Sequence, residues 1–191
     1  MEDICAEEIL VNNKVPLQVF RDTVCDLLIK GRGKYQNIMI TGNAKCGKTF
    51  LLNPLTLIFK TFCNPASRSF AWVGVQNAEC VLLNDSRWLP QVIPWHDQLL
   101  MLEGHVVHLP VPKTNFAKDI SLTSDTPIFF RGKHRLMYIK KGIVDESECG
   151  MMDVMCEVFD FTYQILREQQ LLIQLPSCVR CFAELILPSE T

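Results

Sequence analysis

The chain has 191 residues, 48% of them apolar and 21% charged, with a formal net charge of −2. That length and balance describe one globular domain with a substantial core, neither disordered nor fibrous, and the charge gives no sign of a wholesale nucleic-acid binder, so any DNA contact would come from a local patch. Nine cysteines lack regular spacing, the start is acidic, and no apolar run approaches the roughly 18 residues of a membrane span. Reduced thiols, a nuclear or cytoplasmic setting and no membrane partner are therefore expected.

In chain order, residues 16–30 space Leu17, Phe20, Val24, Leu27 and Leu28 three and four apart. This predicts an amphipathic helix opened by Pro16 and stopped by Gly31 and Gly33. Residues 37–41 are a short apolar run that ends in a glycine loop, hence a buried strand. A helix should follow Lys48, with Phe50, Leu51, Leu52, Leu55, Ile58 and Phe59 facing inward and an irregularity at Pro54. Segments 70–75, 80–83, 120–123 and 127–130 are further strands eligible for the same sheet. Residues 106–109 suit a hairpin strand, and 136–139 a shorter one. Phe159 and Phe161 alternate as a strand would, and 164–173 reads as a helix.

Strand, glycine loop, helix and strand in that order predict an α/β sandwich with a mainly parallel sheet. The expected division is a helical lead-in over 1–36, the α/β core over 37–163 and a helical or irregular tail over 164–191.

Gly42, Asn43, Ala44, Lys45, Cys46, Gly47, Lys48 and Thr49 complete the pattern G-x-x-x-x-G-K-[ST]. The two glycines let consecutive N–H groups turn inward toward phosphate oxygens, and the following helix adds its positive end. Lys48 would neutralise the β- and γ-phosphates of ATP, and Thr49 Oγ1 would ligate Mg²⁺. An apolar strand before the loop and an apolar helix after it supply the context the motif requires, so the core over 37–163 is expected to be a P-loop NTPase three-layer sandwich.

Such a site needs a second strand that ends in acid, and the best match runs from Cys80 to Asn84 and Asp85. In one register Asn84 takes the metal position and Asp85 the base position. In the other, Asp85 holds the metal and Ser86 is left as a poor base. Either register offers a single carboxylate.

Gly31, Arg32, Gly33 and Lys34, running through the strand into the loop, resemble the approach to the loop in superfamily-3 helicases, with parvovirus non-structural replication proteins the nearest type. Residues 102–113, with Gly104, His105, His108 and Lys113, are similar to that family's glycine turn, apolar hairpin and lysine. Residues 120–125 resemble its sensor strand, and Phe159, Asp160 and Phe161 its closing aromatic strand. The resemblance covers about residues 16–163. It implies an AAA+-like ATPase core, DNA replication in a virus or mobile element, a homo-oligomeric hexameric ring, and single-stranded DNA gripped by Lys113 beside His105. A separate nuclease partner would replace the one that viral relatives carry.

Departures from the family bear on activity. Asp125 stands where the sensor asparagine is expected, so it would serve as the sensor or supply the missing carboxylate. No arginine occupies residues 155–158, which leaves Arg131 and Arg135 as substitutes for the arginine that reaches a neighbouring subunit's nucleotide. Nucleotide binding with weak or no hydrolysis, as a gated assembly module, is the alternative. A small-molecule kinase with Arg131 and Arg135 as a short lid ranks last. Cys178 and Cys181 form a lone C-x-x-C, which lacks the second pair that structural zinc requires.

Overall fold

A computed structural model of the chain describes residues 6–63, 72–84, 89–90, 92–109, 120–170 and 179–187. The helices are α1 (Ala6–Asn12), α2 (Leu17–Lys30), α3 (Lys48–Ile58), α4 (Trp95–Leu102), α5 (Glu146–Asp153), α6 (Arg167–Gln170) and α7 (Val179–Ile186). The strands are β1 (Asn37–Gly42), β2 (Thr61–Cys63), β3 (Cys80–Asn84), β4 (Val107–Leu109), β5 (Ile120–Leu122), β6 (Ile128–Gly132), β7 (Ile139–Lys140), β8 (Ile143–Val144) and β9 (Cys156–Phe161).

Five strands form one sheet in the order β2-β3-β6-β1-β9, and every neighbouring pair runs parallel. Parallel strands must be covered on both faces, and near-continuous apolar runs such as Ile38-Met39-Ile40 and Ile128-Phe129-Phe130 meet that demand. On one face, Ile38, Ile40, Leu82, Phe129 and Phe161 pack with residues of α1, α2, α3 and α7. On the other, Met39, Val81, Leu83, Ile128 and Phe130 pack with α4, Met152 of α5 and the β4–β5 pair. The result is a three-layer α/β sandwich, the fold class expected from the order of motifs. Helices from 1–36 and from 164–191 share a core with 37–163, through Ile9, Leu10, Phe182 and Leu185.

Several segments differ from the sequence reading. Residues 120–122 do not join the main sheet: β5 pairs antiparallel with β4, Val107 opposite Leu122 and Leu109 opposite Ile120. The described part of 70–75 is a turn leading into a 3-10 turn at Val75–Asn77, not a strand. Helix α3 runs on through Pro54, whose ring is buried in the core. Ile58 at its end is exposed, while Leu51, Leu52 and Leu55 face inward. Helix α2 starts after Pro16 and stops at Gly31, where φ is 78°. A Cβ at Gly31 would lie 1.8 Å from the Asp125 carbonyl oxygen, so only glycine lets α2 end against this neighbour.

Arg32, 3% exposed, fixes the amino edge of the sheet. Its guanidinium donates to the carbonyls of Ser124, Met101, His105 and Leu122 at 2.6–3.1 Å, and its N–H donates to the Asp125 carbonyl at 3.1 Å. One side chain thereby joins the end of α4, the β4–β5 pair and the segment that leads into β6. Asn37 extends the same bracing, since its Nδ2 donates to the carbonyls of Gly33, Leu102 and Met155 at 2.8–2.9 Å.

Candidate functional site

The glycine loop leaves the carboxyl end of β1, between β6 and β9. From β1 the chain crosses to α3 on one face; after β6 it passes to α5 on the other. Adjacent strands whose connections diverge in this way open a crevice beyond their carboxyl ends, the usual ligand position in parallel α/β sheets.

Within the loop, Gly42 has φ 139°, Lys45 φ 68° and Gly47 φ 91°. A Cβ on Gly42 would meet the Phe161 carbonyl oxygen at 2.2 Å, and one on Gly47 would meet Ile9 Cγ2 at 2.6 Å. Both glycines are therefore demanded twice, by backbone conformation and by close approach. The loop is also held from behind. Asn13 Nδ2 donates to the Cys46 carbonyl at 3.4 Å and to the Ile9 carbonyl at 2.8 Å. The Ile165 N–H donates to the Lys45 carbonyl at 2.9 Å, and the Tyr163 N–H to Asn13 Oδ1 at 2.9 Å. Residues of α1 and of the segment after β9 thus brace a loop whose front, at Asn43, Ala44, Lys45 and Thr49, is exposed. No local sequence pattern marked Asn13 or Ile165 for this part.

Lys48 Nζ folds back over the loop, donating to the Gly42 carbonyl at 2.5 Å and the Asn43 carbonyl at 2.7 Å, with Cys46 Sγ at 3.2 Å. An ammonium group over a glycine-lined loop at a helix start is a donor set suited to a phosphate oxyanion, for which carbonyl oxygens here stand in.

Along the same edge, Asn84 ends β3 in register with Arg131 of β6, and Arg131 lies opposite Ile40 of β1. Strand alternation puts Asn84 and Arg131 on the face that α3 covers, since Leu82 and Phe129, two residues before them, pack there. Arg131 is half-buried at the strand end that flanks the phosphate loop of its own chain. Its charge also reaches Cys63, whose thiol is raised by burial against the opposing pull of that guanidinium. Asp85 and Ser86 lie outside the described residues.

A second group occupies the other face of this edge. Thr41 Oγ1 donates to Asp160 Oδ1, and Arg135 Nη2 donates to Asp160 Oδ2 at 3.0 Å. Arg135 Nη1 also stands 3.6 Å from Asp153 Oδ1. Burial alone would raise the Asp160 carboxyl, but the hydrogen bonds from Thr41 and Arg135 and the Arg135 charge outweigh it, so Asp160 titrates below the ordinary aspartate range. Arg135 is correspondingly raised, chiefly by its hydrogen bond to Asp160. Arg131 and Arg135 therefore both border the loop of their own chain, and Arg135 is held by two carboxylates there.

Asp125 does not reach this edge. It precedes β6, so the full length of that strand separates it from the carboxyl end, and its carbonyl instead receives Arg32 at the opposite edge. The sensor and substitute-carboxylate roles expected for Asp125 are geometrically excluded. The polar residues that end the strand beside β1 are Arg131 and, just past it, Lys133. His105 is exposed in the turn between α4 and β4, with Nε2 3.6 Å from Glu103 Oε2. Lys113 and Cys178 lie outside the described residues. Among the described residues no three His, Cys, Asp or Glu side chains cluster as a metal site, and no helix is long and apolar enough to cross a membrane.

No family model matches the chain, and no curated protein matches it. Solved structures do. The apo A form of the NrS-1 C-terminal region aligns with a TM-score of 0.54 at 12% identity, over 97% of this chain and 44% of that one. The apo NrS-1 C-terminal region (305–718) gives 0.51 at 15% identity, over 97% and 43%. JCV helicase, solved with a thiazolopyridine acetamide compound, gives 0.51 at 12% identity, over 85% and 45%. The chain spans less than half the length of each of these structures. At these identities the likeness is one of fold: the chain shares its three-layer α/β architecture with these structures.

Proposed function

We propose that this chain is the ATP-binding core of a superfamily-3-like helicase, an ATPase that works on single-stranded DNA as a homo-oligomeric ring. The observation that carries the reading is the Lys48 ammonium, poised over a loop whose Gly42 and Gly47 admit no Cβ, at the divergence of β1 and β6. On binding ATP, Lys48 exchanges the Gly42 and Asn43 carbonyls for β- and γ-phosphate oxygens, while the loop N–H groups take the remaining charge. Bound Mg²⁺ would supply charge neutralisation between those phosphates, with Thr49 and Asp85 or Asn84 as its holders. Arg131 at the end of β6 lies on the nucleotide side of the sheet and adds positive charge there. Replication of a viral or mobile element, in nucleus or cytoplasm and with a separate nuclease, is the setting this reading implies.

The test is phosphate release by wild type and Lys48→Ala, with and without single-stranded DNA. The motor reading expects turnover that DNA stimulates and Lys48→Ala abolishes. DNA-independent turnover by a lone monomer would sink it.

One observation favours a second reading, a nucleotide-gated assembly module with weak hydrolysis. Asn84 ends β3 where an acid is expected, and Asp125 sits at the wrong edge to replace it. A missing catalytic base costs a factor of about 10² or more in rate. In this reading Mg-ATP raises the melting temperature and drives assembly while releasing little phosphate. Asn84→Asp or Ser86→Glu should then increase turnover, and no gain in either variant counts against it.

A further inference from the structure

The chain is slightly acidic overall, yet no acidic residue occurs between Asp125 and Asp145. That interval carries Arg131, Lys133, His134, Arg135, Lys140 and Lys141, and all but Arg131 are exposed. It contains the β7–β8 hairpin, in which Ile139 pairs with Val144 and Lys140 with Ile143. Lys141 and Gly142 form the two-residue turn at φ 52° and 80°, the positive pair a type I′ hairpin requires.

The base of the hairpin is anchored and its tip is bare. Leu136 is buried, the Tyr138 ring lies 5.1 Å from the Trp95 ring, and the Asp145 N–H donates to the Tyr138 carbonyl at 3.0 Å. Beyond that base, Met137, Ile139, Ile143 and Val144 are exposed, Ile143 at 74%, and open space surrounds Gly142. Two of the three acids at the start of α5 are already engaged. Asp145 Oδ1 accepts from the Glu148 N–H at 3.2 Å, and Glu148 Oε2 accepts from Trp95 Nε1 at 2.7 Å. Among the described residues, nothing pairs with the lysines at the turn of this short ribbon, and the aliphatic side chains along its strands stay exposed.

We propose that residues 133–144, the β7–β8 hairpin and its basic approach, are a docking surface for single-stranded nucleic acid. Such a strand offers phosphates to Lys133, Lys140 and Lys141 and unstacked bases and sugars to the exposed Met137, Ile139, Ile143 and Val144. The surface is also wired to the phosphate loop. Arg135, at the root of the hairpin, bonds Asp160, and Asp160 accepts from Thr41, the residue before Gly42. A nucleic-acid phosphate competing for Arg135 would loosen a contact made directly behind the loop. The inference rests on the nucleic-acid partner proposed above but assigns it to a surface distinct from the Lys113 segment.

Fluorescence anisotropy of a labelled oligodeoxythymidine strand with the full chain, without nucleotide, tests this apart from any property of the phosphate loop. Lys140→Glu/Lys141→Glu should bind about tenfold or more weakly, and its log K against log salt slope should be shallower by about 1.4, two contacts at about 0.7 each. Lys140→Gln/Lys141→Gln, which leaves the turn undisturbed, should move affinity the same way by less. Lys14→Glu/Lys60→Glu, an equal charge change at exposed positions elsewhere, should leave binding unchanged. Wild-type affinity in both hairpin variants overturns the proposal while leaving nucleic-acid binding intact. Loss of self-association in sedimentation, with DNA affinity unchanged, overturns it in favour of a subunit contact. Failure of the wild-type chain to bind the strand at all overturns the reading it rests on as well.

Discussion

Thr41 and Asp160 occupy one register position of the parallel strands β1 and β9, and the threonine hydroxyl donates to the aspartate across the gap. The pair sits one residue before the phosphate loop, and the second oxygen of Asp160 receives Arg135. The end of the central strand, the closing strand and the root of the β7–β8 hairpin thus meet at one carboxylate.

The pH dependence of that contact has a definite sign. Asp160 titrates lower in the fold than in the unfolded chain, so it stabilises the fold above the ordinary aspartate value of about 3.9. That contribution is lost as pH falls through the folded value. Asp160 is 54% exposed, so solvent screening keeps it to about 1 kcal/mol or less. Asp160→Asn should therefore lower the melting temperature at neutral pH, and the difference from wild type should close in acid. A difference constant across pH, measured by thermal melts in matched buffers, would show that the ion pair contributes nothing.

Arg32 gives a larger expected effect. Arg32→Met keeps much of the stem but removes the donor to four carbonyls, three of them in or beside the β4–β5 pair. Leaving buried acceptors unsatisfied costs about 1–3 kcal/mol for each group, so a total loss on the order of 3 kcal/mol is expected after partial rescue by water. Arg32→Lys should recover little, because a point ammonium cannot span the planar fork. Urea denaturation should show a lower midpoint at unchanged slope. A midpoint within error of wild type for Arg32→Met would contradict this bracing role.

How far the sequence reaches can be seen strand by strand. The phosphate loop, α2, β1, β3 and β9 were legible because motif, period or apolar run was locally decisive. The placement of 120–125 was not, since a polar Thr-Ser-Asp ending imitates a sensor strand. A signal was nevertheless present. Ile120-Ser121-Leu122 alternates, as a half-covered hairpin strand does, whereas Ile128-Phe129-Phe130 is continuously apolar, as a strand buried on both faces must be. Arg32 was opaque for a different reason. A charged residue between two glycines reads as a solvated turn, and its partners lie some seventy to ninety positions away. Asn13 and Ile165 were hidden by distance in the same way.

Thiol reactivity should separate the cysteines by depth. Cys80 and Cys156 are buried and pushed up to about 12, chiefly by burial, so neither offers a thiolate at neutral pH. Cys63 and Cys181 are exposed. Among the described cysteines, pulsed alkylation read by peptide mass spectrometry should label Cys181 first and Cys63 more slowly, because the Cys63 thiol is also raised. Cys80 and Cys156 should react only at the rate of global unfolding. Early labelling of Cys156 would mean that β9 opens independently of the sheet.

The two loop glycines should respond differently to alanine. At Gly42 the obstructing atom is the Phe161 carbonyl oxygen, 2.2 Å from the added Cβ, and φ is 139°. Backbone cannot step aside without displacing β9, so no second-site change should rescue Gly42→Ala. At Gly47 the obstruction is the Ile9 side chain at 2.6 Å, with φ 91°. Trimming that side chain in Ile9→Ala/Gly47→Ala removes the clash but leaves the left-handed strain, which costs about 1–2 kcal/mol for a residue with a Cβ. The double variant should thus be less destabilised than the sum of Ile9→Ala and Gly47→Ala, with a favourable coupling measurable by a double-mutant cycle in urea. Ile9→Ala/Gly42→Ala should be additive. Equal coupling in both pairs would mean that α1 braces the whole loop through the backbone, and that the Ile9 side chain has no specific part in setting the conformation of Gly47.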